Sequence, residues 1–184
     1  FFMPRFSFAD YSKHEKALEL IDTLVKEHDF DRAYLTSIFS DAERKDSILE
    51  AIARPAEKRL EWFEYRKIFL TTDRIQKGLA FIQEHLDTLK RAEKQFGVPK
   101  EIIASIIGVE TRYGKHKGSY KVLDALSTLG FDYPPRSSFF SSELKQAFLL
   151  AKEQGFDIRE MTGSYAGAMG YGQFIPSSYR HYAI

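Results

Sequence analysis

Hydrophobic residues recur at helical spacing along most of the chain, most clearly in segment 98–114, VPKEIIASIIGVETRYG. Its main apolar positions fall on one side of a helix: they are Ile102, Ile103, Ile106 and Ile107. Gly97 is expected to end the preceding helix, and Pro99 suits the first turn of the new one. Gly114 can adopt the left-handed backbone that ends a helix. The pattern therefore predicts a short helix with a buried apolar stripe.

Glu110 falls on this predicted stripe, three residues after Ile107 and seven after Ile103. A carboxyl group buried near a helix C-terminus is hard to ionise. The helix dipole contributes only about 0.3–1 kcal/mol to this effect, whereas deep burial can outweigh that several-fold. Burial would keep Glu110 protonated near neutral pH, as a general acid requires. The helix alone leaves an alternative equally open, a structural Glu paired with an Arg at the edge of the stripe.

The region before this segment is expected to be helical throughout. Ser12, either Asp29 or Asp31, and Asp41 are expected to begin three short helices, because their side chains can accept hydrogen bonds from first-turn amides. Segment 57–70, EKRLEWFEYRKIFL, predicts an aromatic helix whose rings mostly pack in the core. Tyr65 is the exception, since its hydroxyl suits the wall of a polar groove. One long helix is predicted from Thr72 to Phe96, and another over 138–154.

The stretch GSYAGAMGYGQF, at 163–174, is rich in small residues that let a ligand or another segment approach the backbone. It lacks the Gly-Lys-Ser/Thr of a phosphate-binding loop and the strand context of a dinucleotide fingerprint. Ser164 and Gln173 could hydrogen-bond a neutral polar ligand such as a sugar. Tight packing of two backbones is the alternative, and the motif alone favours it.

Composition narrows the functional classes. With 184 residues, 43% hydrophobic and 29% charged, the chain predicts one globular domain, or one with a helical subdomain. The net charge of +1 gives no electrostatic case for binding nucleic acid or an anionic membrane surface. The absence of Cys excludes disulfides and thiolate zinc sites from this sequence. No apolar run reaches the ~18 residues of a transmembrane helix, and we expect the natural chain to continue beyond Ile184.

Four stretches together resemble the lytic murein transglycosylase B family. They are VPKEIIASIIGVETRYG, VLDALSTLGFDYPPR, the helix start FFSSEL, and GSYAGAMGYGQFIPSSY, and the resemblance runs from about Trp62 to the C-terminus. It implies a mainly α fold, with a lysozyme-like catalytic core over 71–184 that is incomplete at its C-terminus. An N-terminal helical subdomain over 1–70 would precede this core.

The resemblance also implies a reaction: cleavage of the β-1,4 bond between N-acetylmuramic acid and N-acetylglucosamine without water, leaving a 1,6-anhydro end. Glu110 matches the family's catalytic residue, and Ser164 matches the residue that holds the N-acetyl group. The other matches are groove positions: Tyr65, Arg136 and Gln173. Many relatives have two arginines where this chain has Pro135-Arg136, so the sugar or peptide contact of the other arginine is not expected here.

A single carboxyl suffices for this reaction, whereas ordinary glycosidases use two. Asp124 and Asp132 are interpreted as a helix-cap residue and a turn residue rather than a second catalytic acid. A lysozyme-type hydrolase using Glu110 and an activated water is the closest alternative. A peptidoglycan-binding module without catalytic activity is a further alternative.

The resemblance implies peptidoglycan glycan strands as the partner and leaves contacts with cell-wall synthesis or turnover proteins open. No cofactor, no metal within these residues, no nucleic acid and no transmembrane segment are expected, and the protein is expected to be a monomer. The implied location is the periplasm, with an outer-membrane anchor in the native form left open.

Overall fold

The computed structural model describes residues 10–54 and 60–183, and helices dominate both ranges. The helices are α1 (Glu15–His28), α2 (Arg32–Asp41), α3 (Asp46–Ala53), α4 (Trp62–Phe69), α5 (Thr72–Glu84), α6 (Leu86–Phe96), α7 (Lys100–Thr111), α8 (Val122–Asp132), α9 (Ser137–Gln154) and α10 (Pro176–Tyr182). Short 3-10 turns occupy Tyr11–Lys13 and Pro134–Arg136. Two strands, β1 (Tyr120–Lys121) and β2 (Thr162–Gly163), pair antiparallel. The prediction of a mainly α fold is confirmed.

The described residues form two compact units, and each unit contains separate parts of the chain. The first unit contains the residues up to Arg54, Gly118–Met169, and the residues from Phe174 onward. The second unit contains the residues between Arg54 and Gly118, together with Gly170–Gln173. The predicted domain boundary at residue 70 does not coincide with the limits of these units, and it stays a prediction.

The first unit has an extensive core built around α8. Ten consecutive α8 residues, from Val122 to Phe131, are buried, because other helices surround α8. Large side chains from α2 and α9 complete this core, including Phe39, Phe140 and Phe148. Helix α8 is therefore buried on all sides, as a central helix is, rather than on one face, as an amphipathic helix is.

Polar residues on α8 tie distant segments of the first unit together. Asp124 accepts a hydrogen bond from the Glu43 amide at 2.9 Å, and Thr128 accepts one from the Lys45 amide at 3.1 Å. Asp132 accepts a hydrogen bond from the Tyr11 hydroxyl. Asp124 and Asp132 are thus long-range anchors, and interpreting them as a local cap and a turn residue was wrong. Burial raises the pKa of Asp124 above its ordinary value.

The second unit has a much smaller core. Among the described residues, its buried hydrophobic cluster contains Phe81, Leu89 and Ala104. The partly buried residues packed around this cluster are Ile82, Ile103, Ile107 and Tyr113. Helix α4 lies at the surface: Trp62 is 71% exposed and Phe63 is 58% exposed. The prediction that most α4 rings pack in the core was wrong for the described residues.

Several predicted helix ends need correction. Of the two candidates for the start of α2, Asp29 and Asp31, it is the Asp31 side chain that caps the helix, by accepting a hydrogen bond from the Tyr34 amide. Gly97 ends α6 as predicted, with φ of 70°. Asp41, however, is the last residue of α2 rather than the start of α3. The long helix predicted over 72–96 is interrupted at His85, which separates α5 from α6. Ser12 lies in the 3-10 turn that precedes α1.

Candidate active site

Helix α7 carries Glu110 at its penultimate position, but the buried side of the helix is not the predicted one. The buried residues of α7 are Ala104, Gly108 and Thr111, which are four and then three residues apart. Glu110 is exposed. The prediction of a buried Glu110 is therefore wrong for the described part of the chain.

The predicted isoleucine stripe is divided between two environments. Ile103 and Ile107 are half-buried against the core cluster of the second unit. Ile102 is 50% exposed and Ile106 is 54% exposed. Spacing alone could not separate these two pairs, because the small residues decide which side of the helix packs.

Tyr113 explains why Gly108 on α7 is buried. Its ring occupies a slot between Gly78 on α5 and Gly108 on α7. A Cβ at Gly108 would lie 2.6 Å from the ring atom Cζ, and a Cβ at Gly78 would lie 2.7 Å from the phenol oxygen. The phenol donates to the Arg74 carbonyl at 3.0 Å, and the Arg74 guanidinium donates to the Gly108 carbonyl at 3.1 Å. These contacts fix the C-terminal end of α7 to α5.

The chain turns sharply directly after α7. Arg112, Tyr113 and Gly114 have φ values of 49°, 60° and 85°, so three consecutive residues are left-handed. The prediction for Gly114 is confirmed, but the turn begins two residues earlier than expected. A left-handed conformation is costly for residues other than Gly. Two such residues beside Glu110 therefore need contacts that hold them in place.

Thr111 provides one set of these contacts through its hydroxyl group. The hydroxyl accepts a hydrogen bond from the Gly114 amide at 2.9 Å. It lies 3.1 Å from each of two carbonyl oxygens that can accept its proton, those of Ile107 and Tyr171. Tyr171 belongs to the loop Gly170–Gln173, so Thr111 links the end of α7 to that loop.

Gln173 has a structural role within this loop. Its backbone is left-handed, with φ of 51°. Its side-chain Nε2 donates to the Gly170 carbonyl at 3.0 Å and to the Lys117 carbonyl at 3.2 Å. The Lys117 ammonium group lies 5.0 Å from the centre of the Tyr171 ring. The loop that carries Gln173 is therefore held in place by one hydrogen bond within the loop and by contacts with Lys117.

The other candidates lie apart along the chain. Tyr65 is on α4 of the second unit, the unit of Glu110 and Gln173, and is 45% exposed. Ser164 and Arg136 belong to the first unit. Arg136 is exposed in the 3-10 turn before α9, and its guanidinium stacks over the rings of Phe139 and Phe140. This stacking holds the guanidinium against the first turn of α9.

Ser164 lies in a loop whose small residues allow close backbone packing. A Cβ at Gly163 would lie 2.4 Å from the Ala168 carbonyl oxygen, and one at Gly118 would lie 2.0 Å from the Gly163 carbonyl carbon. The Ser164 hydroxyl accepts from the amides of Ala166 at 3.3 Å and Ala168 at 3.1 Å. The packing interpretation thus holds for these glycines. The Ser164 hydroxyl is the acceptor in both hydrogen bonds, so it can still donate its proton. Its role in binding a ligand stays a prediction.

Sequence reasoning missed Thr111, which follows Glu110 directly, and Tyr113, which lies three residues after it. One signal was available, since an aromatic residue next to a helix containing Gly108 suggests ring packing on that glycine. In the described ranges, no group of three His, Asp or Glu side chains is arranged to hold a metal ion. Within the same ranges, every helix is too short or too polar to cross a lipid bilayer.

Comparison with known proteins supplies the context for this geometry. The family described as "Transglycosylase SLT domain" matches residues 13–184. The chain is 44% identical over 184 residues to "Membrane-bound lytic murein transglycosylase B" of Escherichia coli (strain K12), a match that covers 95% of this chain and 51% of that protein. The chain thus spans about half the length of this curated relative.

Two solved structures extend the comparison. The catenated lytic transglycosylase SltB1 from Pseudomonas aeruginosa superimposes with a TM-score of 0.93 and 52% identity, over 95% of this chain and 58% of that one. SltB3 from Pseudomonas aeruginosa, in complex with NAG-anhNAM-pentapeptide, gives a TM-score of 0.83 and 25% identity, over 91% of this chain and 44% of that one. These matches confirm the predicted lysozyme-like fold.

Proposed function

This chain belongs to the transglycosylase SLT domain family, and from that premise we propose that it carries the catalytic acid of a lytic transglycosylase. The substrate is peptidoglycan, and the bond cleaved is the β-1,4 bond between N-acetylmuramic acid and N-acetylglucosamine. The relative from Escherichia coli is named for murein and for transglycosylation, which supports both assignments. That relative is also membrane-bound by name, which supports a periplasmic location close to a membrane.

The observation that carries this proposal is the position of Glu110. Its carboxyl group is exposed to a reacting ligand, while the helix end beside it is fixed by the contacts of Thr111 and Tyr113. The other two acids considered from the sequence, Asp124 and Asp132, are engaged as anchors in the first unit. Of these three acids, Glu110 is thus the one left to serve a reaction in which the substrate supplies its own nucleophile.

The proposed reaction needs one acid in two successive roles. Glu110 donates its proton to the glycosidic oxygen, and the bond from that oxygen to C1 of the muramoyl sugar breaks. The 2-acetamido group of the same sugar stabilises the positive charge at C1. The Glu110 carboxylate then takes the proton from the C6 hydroxyl group, and the oxygen of that hydroxyl group forms a bond to C1. The acid is regenerated, no water is consumed, and a 1,6-anhydro ring remains.

The remaining candidate residues are proposed to bind the glycan. The proton of the Ser164 hydroxyl can be donated to the carbonyl of the acetamido group and so orient it for attack. Tyr65, Arg136 and Gln173 are proposed to line the groove. Gln173 keeps its side-chain carbonyl for such contacts, since Nε2 makes the bonds within its loop.

The choice between transglycosylase and hydrolase rests on the product. SltB3 is described with NAG-anhNAM-pentapeptide, a ligand with the anhydro sugar that transglycosylation makes. A lysozyme-type reaction through Glu110 would instead leave a reducing end. The similarity to SltB3 therefore supports the proposal that this chain makes anhydro ends.

The test is mass spectrometry of soluble fragments released from purified peptidoglycan by the full-length protein and its Glu110→Gln variant. Gln cannot donate the proton, and general acid–base catalysis is worth about 10²–10⁴-fold, so a loss of that order in anhydro-muramoyl product is expected. Glu101→Gln is the matched control, because Glu101 is an exposed acid on the same helix and is paired with Lys100.

Each outcome has a defined meaning. Anhydro products that are lost in Glu110→Gln and retained in Glu101→Gln support the proposal. Reducing-end products would assign the protein to the lysozyme class. Release of no product by the wild type, together with retention of glycan on the protein, would favour a binding module.

A further inference from the structure

We propose that Thr111 is a positioning residue for Glu110, and that it acts through the hydrogen bonds of its hydroxyl group. The inference rests on the proposed function, since it requires Glu110 to be the reacting acid. Thr111 is fully buried, with 0% of its surface exposed. A buried hydroxyl group is costly unless it is hydrogen-bonded, so the bonds of the Thr111 hydroxyl are needed at this position. A valine would fill nearly the same space without making them.

These bonds join three parts of the second unit. The Ile107 carbonyl is part of α7, the Gly114 amide is part of the left-handed turn, and the Tyr171 carbonyl is part of the loop Gly170–Gln173. A hydroxyl group has one proton and two acceptor lone pairs. The Thr111 proton is therefore shared between the two carbonyls, while the Gly114 amide occupies a lone pair. One side chain thus determines how the helix, turn and loop meet.

Glu110 is bonded directly to Thr111, so a change in the backbone at Thr111 also moves the Glu110 carboxyl group. Arg112 and Tyr113 hold left-handed conformations that relax readily once a supporting hydrogen bond is lost. Loss of the hydroxyl would leave the Gly114 amide without its acceptor. The end of α7 would then shift, and Glu110 would move with it.

The loop supplies a second reason for the inference. It carries Tyr171 and the candidate groove residue Gln173, and the Tyr171 ring lies close to the turn: a Cβ at Gly114 would lie 2.2 Å from it. Thr111 is therefore expected to set the separation between the acid and this part of the groove. Such a residue affects the reaction step more than the binding of distant sugars.

The test compares Thr111→Val and Thr111→Ser in the full-length protein with a soluble glycan-strand substrate. Misplacing a reacting group by about 1 Å costs up to about 100-fold in rate, so Thr111→Val is expected to lower kcat about 10–100-fold while KM changes little. Thr111→Ser keeps the hydroxyl and is expected to restore most of kcat. Thr111→Ala, measured in parallel, removes the same hydroxyl with a smaller side chain.

Two controls separate positioning from general destabilisation. Leu89→Val weakens the core of the same unit, where Leu89 is 4% exposed, and should lower the melting temperature without a comparable loss of kcat. Glu110→Gln, assayed alongside, tests the proposed function itself.

The proposal is overturned if Thr111→Val turns over like the wild type, if Thr111→Ser is as impaired as Thr111→Val, or if Leu89→Val loses as much kcat. In each of these cases, loss of activity in Glu110→Gln leaves the proposed function standing. Wild-type turnover in Glu110→Gln would instead remove the proposed function, and the inference with it.

Discussion

The two units are stabilised in different ways. The first unit buries aromatic and aliphatic side chains from many elements around a central helix, among them Phe39, Leu126 and Phe148. In the described part of the second unit, the buried hydrophobic cluster is limited to Phe81, Leu89 and Ala104. The unit that carries Glu110 therefore depends more on specific contacts, such as those of Tyr113 and Thr111, than on the burial of apolar area. The effect of a substitution should depend on the unit in which it is made.

The largest expected effect is in the core of the first unit. Phe148 is 1% exposed and packs against the rings of Phe30 and Phe39. Phe148→Ala should lower the free energy of unfolding by about 3–5 kcal/mol, since it removes buried apolar area and leaves a cavity. Urea unfolding followed by circular dichroism measures this change. The matched comparison is Phe81→Ala in the second unit, where Phe81 is 8% exposed within a much smaller cluster and a smaller loss is expected. Equal losses would contradict the contrast between the units.

An intermediate effect is expected where Tyr113 packs in the second unit. In a helix, Gly→Ala ordinarily stabilises by about 0.5–1 kcal/mol. Gly108→Ala should instead destabilise by about 1–3 kcal/mol, because the new Cβ overlaps the Tyr113 ring. Amide hydrogen exchange in α7 reports the change locally.

A double-mutant cycle sharpens this prediction. In a Tyr113→Ala background the ring is absent, so Gly108→Ala should become neutral or stabilising. If the substitution destabilises equally in both backgrounds, the ring is not what makes Gly108 necessary.

The smallest effect concerns pH, and its sign differs between the units. Burial raises the pKa of Asp124 in the first unit. Its folded state binds protons more tightly than the unfolded state, so stability falls as pH rises from the ordinary aspartate value, about 3.9, through the raised value. The free energy of unfolding, measured by urea titration at several pH values in this range, should fall with rising pH in the wild type and not in Asp124→Asn.

Asp73 in the second unit provides the opposite case. A hydrogen bond from Lys77 lowers the pKa of Asp73, so its contribution is present above the ordinary aspartate value and is lost as pH falls through the lowered one. Asp73→Asn should therefore flatten the acid side of the stability profile. Both variants changing the profile in the same direction would contradict these assignments.

The fold was largely predictable wherever local signals determined it. The helical character of the chain, the Asp31 cap and the end of α6 at Gly97 follow from spacing and capping chemistry over a few residues. The failures involve long-range contacts. Asp124 bonds to an amide 81 positions earlier in the chain, and no local pattern indicates such a partner.

The same limit applies to the candidate site. The sequence placed Glu110 at the end of a helix, and the structure agrees, but the apolar spacing of α7 did not reveal which side would pack. That side is determined by Tyr113, whose hydroxyl bonds to a residue 39 positions away. Thr111 is tied to Tyr171, 60 positions away. Apart from the aromatic residue near Gly108, nothing local in the sequence indicated the residues that hold the acid in place.

The slot that holds Tyr113 also restricts the order in which this protein can have changed during evolution. Alanine at position 78 or 108 would force the tyrosine ring in the slot to shift, because the new Cβ would lie within 2.7 Å of it. Either alanine should therefore be tolerated better in a lineage that has already replaced the tyrosine with a smaller residue. Positions 78, 108 and 113 should therefore vary together among homologous sequences, although they are far apart in the chain.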